Sequence, residues 1–347
     1  MIHLRRAAVV SVVRPRPGLL QLECDENGSR RHALAYEDLC GPVSPGDTVI
    51  LNTSAVELGL GTGGRDFVIA VEGRATTPDV RGHAMKLRYT PLQTIVEPVE
   101  ETHREALDSF ESLHGAPVIL SGLHSALPAI VIGVRSVNPD ARIVYVMTDG
   151  AALPIAFSDT VSHMKDEGVL HATITAGQAF GGDYEAVNVY SAIAAAREVA
   201  NADVIITGMG PGNLGTGSKL GFAMLEQASL ANAVAALGGT PILVPRISFS
   251  DARPRHRALS HHTVTVLSLT LAEVTVTLPP FPAERAQEID RSVSGLRSRH
   301  KFVEVELGEA EEILAKSDAL RSMGRTFADD PSPFRTAAAA GVYAATM

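Results

Sequence analysis

Ala202-Asp-Val-Ile-Ile-Thr-Gly-Met-Gly-Pro-Gly-Asn-Leu-Gly-Thr-Gly-Ser-Lys-Leu-Gly221 joins an apolar, β-branched run to a glycine-rich loop. The run at 203–208 has almost no polar alternation, as a strand covered on both faces requires. The pattern after the loop predicts a helix over 217–237. Strand, loop and helix in this order form the unit of an open α/β sheet, which binds ligands beyond the carboxyl ends of its strands. The same alternation extends outward in both directions. It predicts strands at 117–121, 142–148, 170–175, 203–208, 241–245, 273–278 and 302–306. Helices are expected between them at 124–137, 158–167, 184–200, 217–237, 260–271 and 282–297. Ser158 and Ser260 stand where N-caps belong. The fold class over 115–307 is therefore α/β, a doubly wound, mainly parallel sheet of the Rossmann-like kind.

Residues 1–98 read differently. Short strands at 7–13, 19–24, 32–35, 48–52 and 67–71 are separated by turn residues, which suggests a small β-barrel or β-sandwich. Residues 86–94 read as an extended exit from it. A linker follows at 99–114, with a helix over 103–113. The C-terminal tail, 308–347, has a helical pattern at 309–322 that breaks at 329–333. Its final alanine run reads as a loose helix or disorder.

The chain has 347 residues, 45% of them hydrophobic, which suffices for a substantial core without staples. Its net charge of −9 argues against nucleic acid or an acidic membrane surface as a partner. The two cysteines, Cys24 and Cys40, form no CxxC pair and suit a reducing compartment. The first residues lack an apolar signal core, and no apolar run is a credible membrane span, so a cytoplasmic location is expected. A homo-oligomer is compatible with all of this.

The glycine loop carries the strongest functional signal. Gly210, Gly212, Gly215, Thr216 and Lys219 would cradle an anion, since glycines admit close backbone approach. Two familiar motifs fit imperfectly. Gly210 to Gly215 satisfies G-x-G-x-x-G, but the next strand ends in Arg246, where a dinucleotide fold wants an acid. Ser218-Lys219 reverses the P-loop order. The rival reading is a tight packing turn. No cofactor can be named from these residues.

The next segment, Arg246-Ile-Ser-Phe-Ser-Asp-Ala-Arg-Pro-Arg-His-Arg-Ala-Leu-Ser-His-His262, falls on the same edge. Arg246, Arg255 and Arg257 would add charge for a phosphate or carboxylate. His262 would transfer protons, with Asp149 or Asp183 as partner. Glu185 and His124 are further polar candidates, and Ser121 is a weak alternative nucleophile. His256, His261, His262 and Asp251 could supply a metal. Adjacent helical residues point about 100° apart, however, which ranks acid/base or anion contact above metal. No metal site is therefore assigned.

Residues 82–93 (Gly-His-Ala-Met-Lys-Leu-Arg-Tyr-Thr-Pro-Leu-Gln), 177–186, 208–221 and 260–263 together resemble an uncharacterised bacterial family of unknown function. The resemblance covers nearly the whole chain. It implies one bacterial intracellular protein and carries over no activity and no catalytic residue. An enzyme acting on a small anion, a non-catalytic ligand sensor and an assembly module all stay open. A carboxylate–histidine pair in a closed pocket would favour the enzyme.

Overall fold

The computed structural model describes residues 2–75 and 82–347. Strands β1 (Leu4–Arg16), β2 (Leu19–Glu26), β3 (Ser29–Tyr36), β4 (Thr48–Asn52) and β5 (Asp66–Val71) close into a barrel in the order β1-β2-β3-β5-β4. Closure depends on the length of β1. Leu4 to Ala8 pairs with β4, and Ala8 to Arg16 pairs with β2 across a register shift between Val9 and Ser11. The interior is filled by small and β-branched side chains, among them Ala7, Val9, Cys24, Ala33, Ala35, Val49 and Val68. A closed sheet of so few strands has room for little more. Both cysteines are free and buried, and burial pushes each thiol up to about 11, so neither is a reactive thiolate.

The segment expected as an extended exit is a hairpin, β6 (Ala84–Lys86) and β7 (Thr94–Val96). Lys86 anchors it. Its buried ammonium donates to Ala186 O at 2.9 Å and lies 3.3 Å from Glu185 Oε2. A long-range contact of this kind leaves no mark on local sequence. The linker helix is also corrected. Two short helices, Val99–Thr102 and Arg104–Asp108, break at His103, whose φ of −128° is not helical.

Strands β8 (Pro117–Leu120), β9 (Ile143–Thr148), β10 (Ala172–Ala176), β11 (Tyr184–Ala186), β12 (Val204–Met209) and β13 (Thr240–Leu243) follow. After a short antiparallel pair, β14 (Ile247–Ser248) and β15 (Ala258–Leu259), come β16 (Thr275–Leu278) and β17 (Lys301–Glu304). The main sheet runs β11-β10-β9-β12-β8-β13-β16-β17, with every pairing parallel. All seven expected strands are present. Strand β11 is an addition, and the helix expected from 184 begins at Val189, where Asn188 caps it by accepting from Tyr190 N and Ser191 N.

Connections from β8 and β9 run towards β11, whereas those from β12, β13 and β16 run towards β17. Right-handed crossovers then place the two sets of helices on opposite faces. Helices Leu127–Val137 and Asp159–Asp166 bury one face. Helices Val189–Glu198, Glu226–Ala236 and Ala283–Val293 bury the other. No helix among the described residues is long and apolar enough to cross a membrane.

The alanine run is neither loose nor disordered. It forms the helix Ser332–Ala345, with Ala337 to Ala340 fully buried against Leu127–Val137. The small side chains that weaken a core signal in sequence are what let the two backbones touch. A Cβ on Gly341 would stand 2.1 Å from Ile130 O, and one on Gly133 would stand 2.2 Å from Ala338 O. Gly341→Ala, which favours an isolated helix by about 1 kcal/mol, is therefore expected to destabilise the protein by about 1–3 kcal/mol. Gly295→Ala, in open space, should be nearly neutral. Urea denaturation checks this, and an unchanged or raised midpoint for Gly341→Ala would contradict the packing.

Candidate functional site

Parallel pairing brings the loops after β8, β9, β10, β12 and β13 to one edge, where they interlock. Gln178 N donates to Asp149 Oδ2 at 2.9 Å, and Ala152 N donates to Pro211 O at 3.1 Å. The first glycines of the loop serve this packing. A Cβ on Gly208 would stand 2.2 Å from Ser121 O, and one on Gly210 would stand 2.8 Å from Ala152 O. Gly210 is thus a contact between loops and offers no open face to a ligand.

His124, Tyr145 and Ser158 form a satisfied strut beneath these loops. Tyr145 Oη donates to Met209 O at 2.9 Å. His124 Nδ1 lies 3.3 Å from that hydroxyl, and its Nε2 lies 2.6 Å from Ser158 Oγ. Burial pushes His124 down to about 4, so it is neutral near pH 7. Beside the strut is a carboxylate that the sequence reading passed over. Glu226 opens the helix Glu226–Ala236, and Thr148 Oγ1 lies 2.8 and 2.9 Å from its two oxygens. Burial pushes Glu226 up to about 7, the Asp149 charge adds to this, and the Thr148 hydrogen bond opposes it. In sequence Glu226 falls in the middle of the helix expected over 217–237, where an acid reads as a solvated surface residue.

The rest of the glycine loop does not enter a helix directly, contrary to the expectation of one from 217. Gly215 bridges Phe222, Thr216 N donates to Gly221 O at 2.8 Å, and Ser218 Oγ accepts from Gly221 N at 3.0 Å. The 3₁₀ turn Ala223–Leu225 and the α-helix begin only afterwards. The loop is a small closed excursion whose own polar groups pair with one another. Gly212 and Lys219 stand exposed on it. Its tip meets the basic segment, for a Cβ on Gly217 would stand 3.2 Å from Arg255 Nη1. Gly217, Lys219, Arg255, Arg257, His261, Glu288 and Ser292 line one cavity of about 660 Å³. A larger cavity of about 840 Å³ lies elsewhere, walled by Glu37, Asp38, Asp183 and Glu185, a lining that repels anions.

Two candidates are placed apart from the smaller cavity. Asp183 is held by Lys165 and by the backbone and hydroxyl of Thr173 at the start of β10. Arg246 is buried 3.6 Å from Asp251, which also holds Arg253 at 2.8 Å. Its backbone fixes the start of the next helix, with Ser260 N on Arg246 O and Arg246 N on Thr263 Oγ1, each at 2.9 Å.

The three histidines of this segment come together. Ring centroids lie 4.9 Å apart for His256 and His261, 4.8 Å for His256 and His262, and 4.4 Å for His261 and His262. His262 is 6% exposed and stacks on Phe222 at 3.8 Å. Burial, with neighbouring charges, pushes His256 down to about 4 and His262 to about 3, and lowers His261 too. Divergence of adjacent Cα–Cβ bonds proved a poor guide here. Flexible rings can converge above the first helical turn, and the 3₁₀ turn Pro254–His256 brings in the third. Among the described residues this is the group whose geometry could hold a metal.

A family model described as a protein of unknown function, DUF3866, matches residues 32–341. No curated protein matches the chain.

Glu226 makes a pH prediction. Its folded value lies above the ordinary 4.5, so the native state keeps a proton that the unfolded chain has released. The associated stability is full below about 4.5 and is lost as pH rises through about 7. Glu226→Gln should remove up to about 3 kcal/mol of pH dependence across that window. Melting curves of parent and variant from pH 4 to 8 test this, and parallel pH profiles would contradict it.

Proposed function

We propose that this chain, which belongs to the DUF3866 family of unknown function, binds a small phosphate- or carboxylate-bearing ligand in the cavity between the glycine loop and the basic segment. One observation carries the reading. Lys219, Arg255 and Arg257 converge on that cavity, and among the described residues none of the three forms an ion pair with a carboxylate. Three like charges on one concave wall repel one another, and an anion between them relieves the repulsion. The two guanidinium forks suit the paired oxygens of phosphate or carboxylate. A volume of about 660 Å³ is in the range of small-molecule sites. Glu288 and Ser292, which also line it, would take donors on the rest of the ligand.

Supporting geometry favours binding over acid/base catalysis by His262. No carboxylate pairs with His256, His261 or His262 among the described residues. A buried ring with a value near 3, stacked under Phe222, is poorly suited to carrying protons at neutral pH. The supported roles are thus anion contact by Lys219, Arg255 and Arg257, with Gly217 admitting the ligand. Gly212, Gly215 and Thr216 shape the loop.

Thermal-shift screening with ATP, pyrophosphate, ribose 5-phosphate and citrate, followed by calorimetry, tests the proposal. Arg255→Ala is expected to weaken the best ligand about tenfold, equal to about 1.4 kcal/mol. Lys219→Ala should cost less, and its loss should shrink as salt rises. No binding by the parent, or equal binding by both variants, would overturn the reading.

A further inference from the structure

We propose that His256, His261 and His262 form a three-imidazole site for a divalent transition metal of the zinc class, with an open coordination position beside the cavity that His261 lines. This inference does not rest on the anion reading.

The first support is an unmet hydrogen-bonding need. His262 Nδ1 and His261 Nε2 are both shut off from solvent and have no partner among the described residues. Leaving such a nitrogen unsatisfied costs about 1–3 kcal/mol, so two side by side call for an explanation. A cation between the rings would satisfy both. The third ring is already oriented. His256 Nδ1 lies 2.8 Å from Ser260 Oγ, the same hydroxyl that accepts from His262 N at the helix cap. That contact leaves the lone pair on Nε2 of His256, which among the described residues accepts only from Arg255 Nε at a long 3.4 Å, a contact the ion would replace. A hydroxyl or carboxylate behind a ligating histidine is how metal sites fix ring orientation.

The dimensions fit with a small adjustment. The candidate ligand atoms all lie within 4.8 Å of one another. A triangle with that edge puts each nitrogen about 2.8 Å from its centre, against about 2.1 Å for a zinc–nitrogen bond. Closing the difference needs about 0.7 Å of inward movement per ring, which rotation about two side-chain torsions supplies. The donor set decides the class of ion. Three imidazole nitrogens suit zinc, cobalt, nickel or copper, and they suit poorly the oxygen-seeking magnesium and calcium. Three protein ligands also leave a tetrahedral ion one position short. Arg246, Arg253 and Arg255 make the surroundings positive, so the remaining position favours an anionic fourth ligand.

The test uses the untagged, chelator-treated chain titrated with cobalt chloride alone. Visible ligand-field bands should saturate at one equivalent and be displaced by one equivalent of zinc, and zinc should raise the melting temperature. His261→Ala, at the least buried of the three ligands, should weaken cobalt binding by more than the roughly 10–100-fold seen for lost outer-shell partners. Ser260→Ala, a positioning change, should fall within that range. His262→Gln puts a polar side chain of similar length against Phe222 without the imidazole nitrogens, and should lose the bands while its metal-free circular dichroism stays that of the folded parent. His32→Ala, on the barrel surface, should bind as the parent does. Absence of saturable cobalt binding by the folded parent would overturn the proposal. So would stoichiometric binding that survives in both His261→Ala and His262→Gln. The titration contains no phosphate or carboxylate ligand, so its failure leaves the anion cavity untouched, and failure of the anion screen leaves the metal site untouched.

Discussion

A sheet whose every pairing is parallel must carry its chain back across a face after each strand, and this constraint organises the molecule. All strand carboxyl ends then share one edge, and the direction of each crossover decides which face its helix covers. Here the direction reverses around β12 and β8, at the middle of the sheet. The connections leaving neighbouring strands part to opposite faces there, and their loops pack on one another at the edge. Asp149, the glycine loop with Glu226 just after it, and the basic segment meet at that reversal although they come from three separate stretches of the sequence.

The edge holds two kinds of polar group, and their satisfaction separates them. Tyr145, His124 and Ser158 complete one another's hydrogen bonds, and Asp251 is held by Arg253 under the basic segment. These groups hold the loops in place. Among the described residues Lys219, Arg257 and the inward nitrogens of His261 and His262 are left without such partners, and Arg255 has only the long contact to His256 Nε2. Structure-forming groups in a buried edge pair internally. The groups left over are the ones with capacity for something from outside.

What the sequence made legible follows from the same physics. The strand Ile143–Thr148 is buried on both faces along its whole length, so composition alone marks it. The barrel strands announce themselves by short β-branched runs between turns. The C-terminal helix was misread because its core face is alanine and glycine, chosen for close backbone approach and carrying no bulk to recognise. The hairpin at β6 and β7 depends on one buried lysine reaching a strand a hundred residues away. At the site, the cations and histidines were visible as residue types. Which of them pair was decided by tertiary contacts: Arg246 went to Asp251, Asp183 went to Lys165, and the three imidazoles met each other. Glu226 acquires its unusual proton affinity only when the fold buries it and brings Asp149 near.

The central claim is that the unpaired cations at this edge await an anion. A crystal structure of the chain grown with tungstate, a strongly scattering phosphate analogue, tests it most directly. An anomalous peak is expected between Lys219 and the guanidinium groups of Arg255 and Arg257. Peaks confined to other surfaces, with that cavity filled only by water, would contradict it.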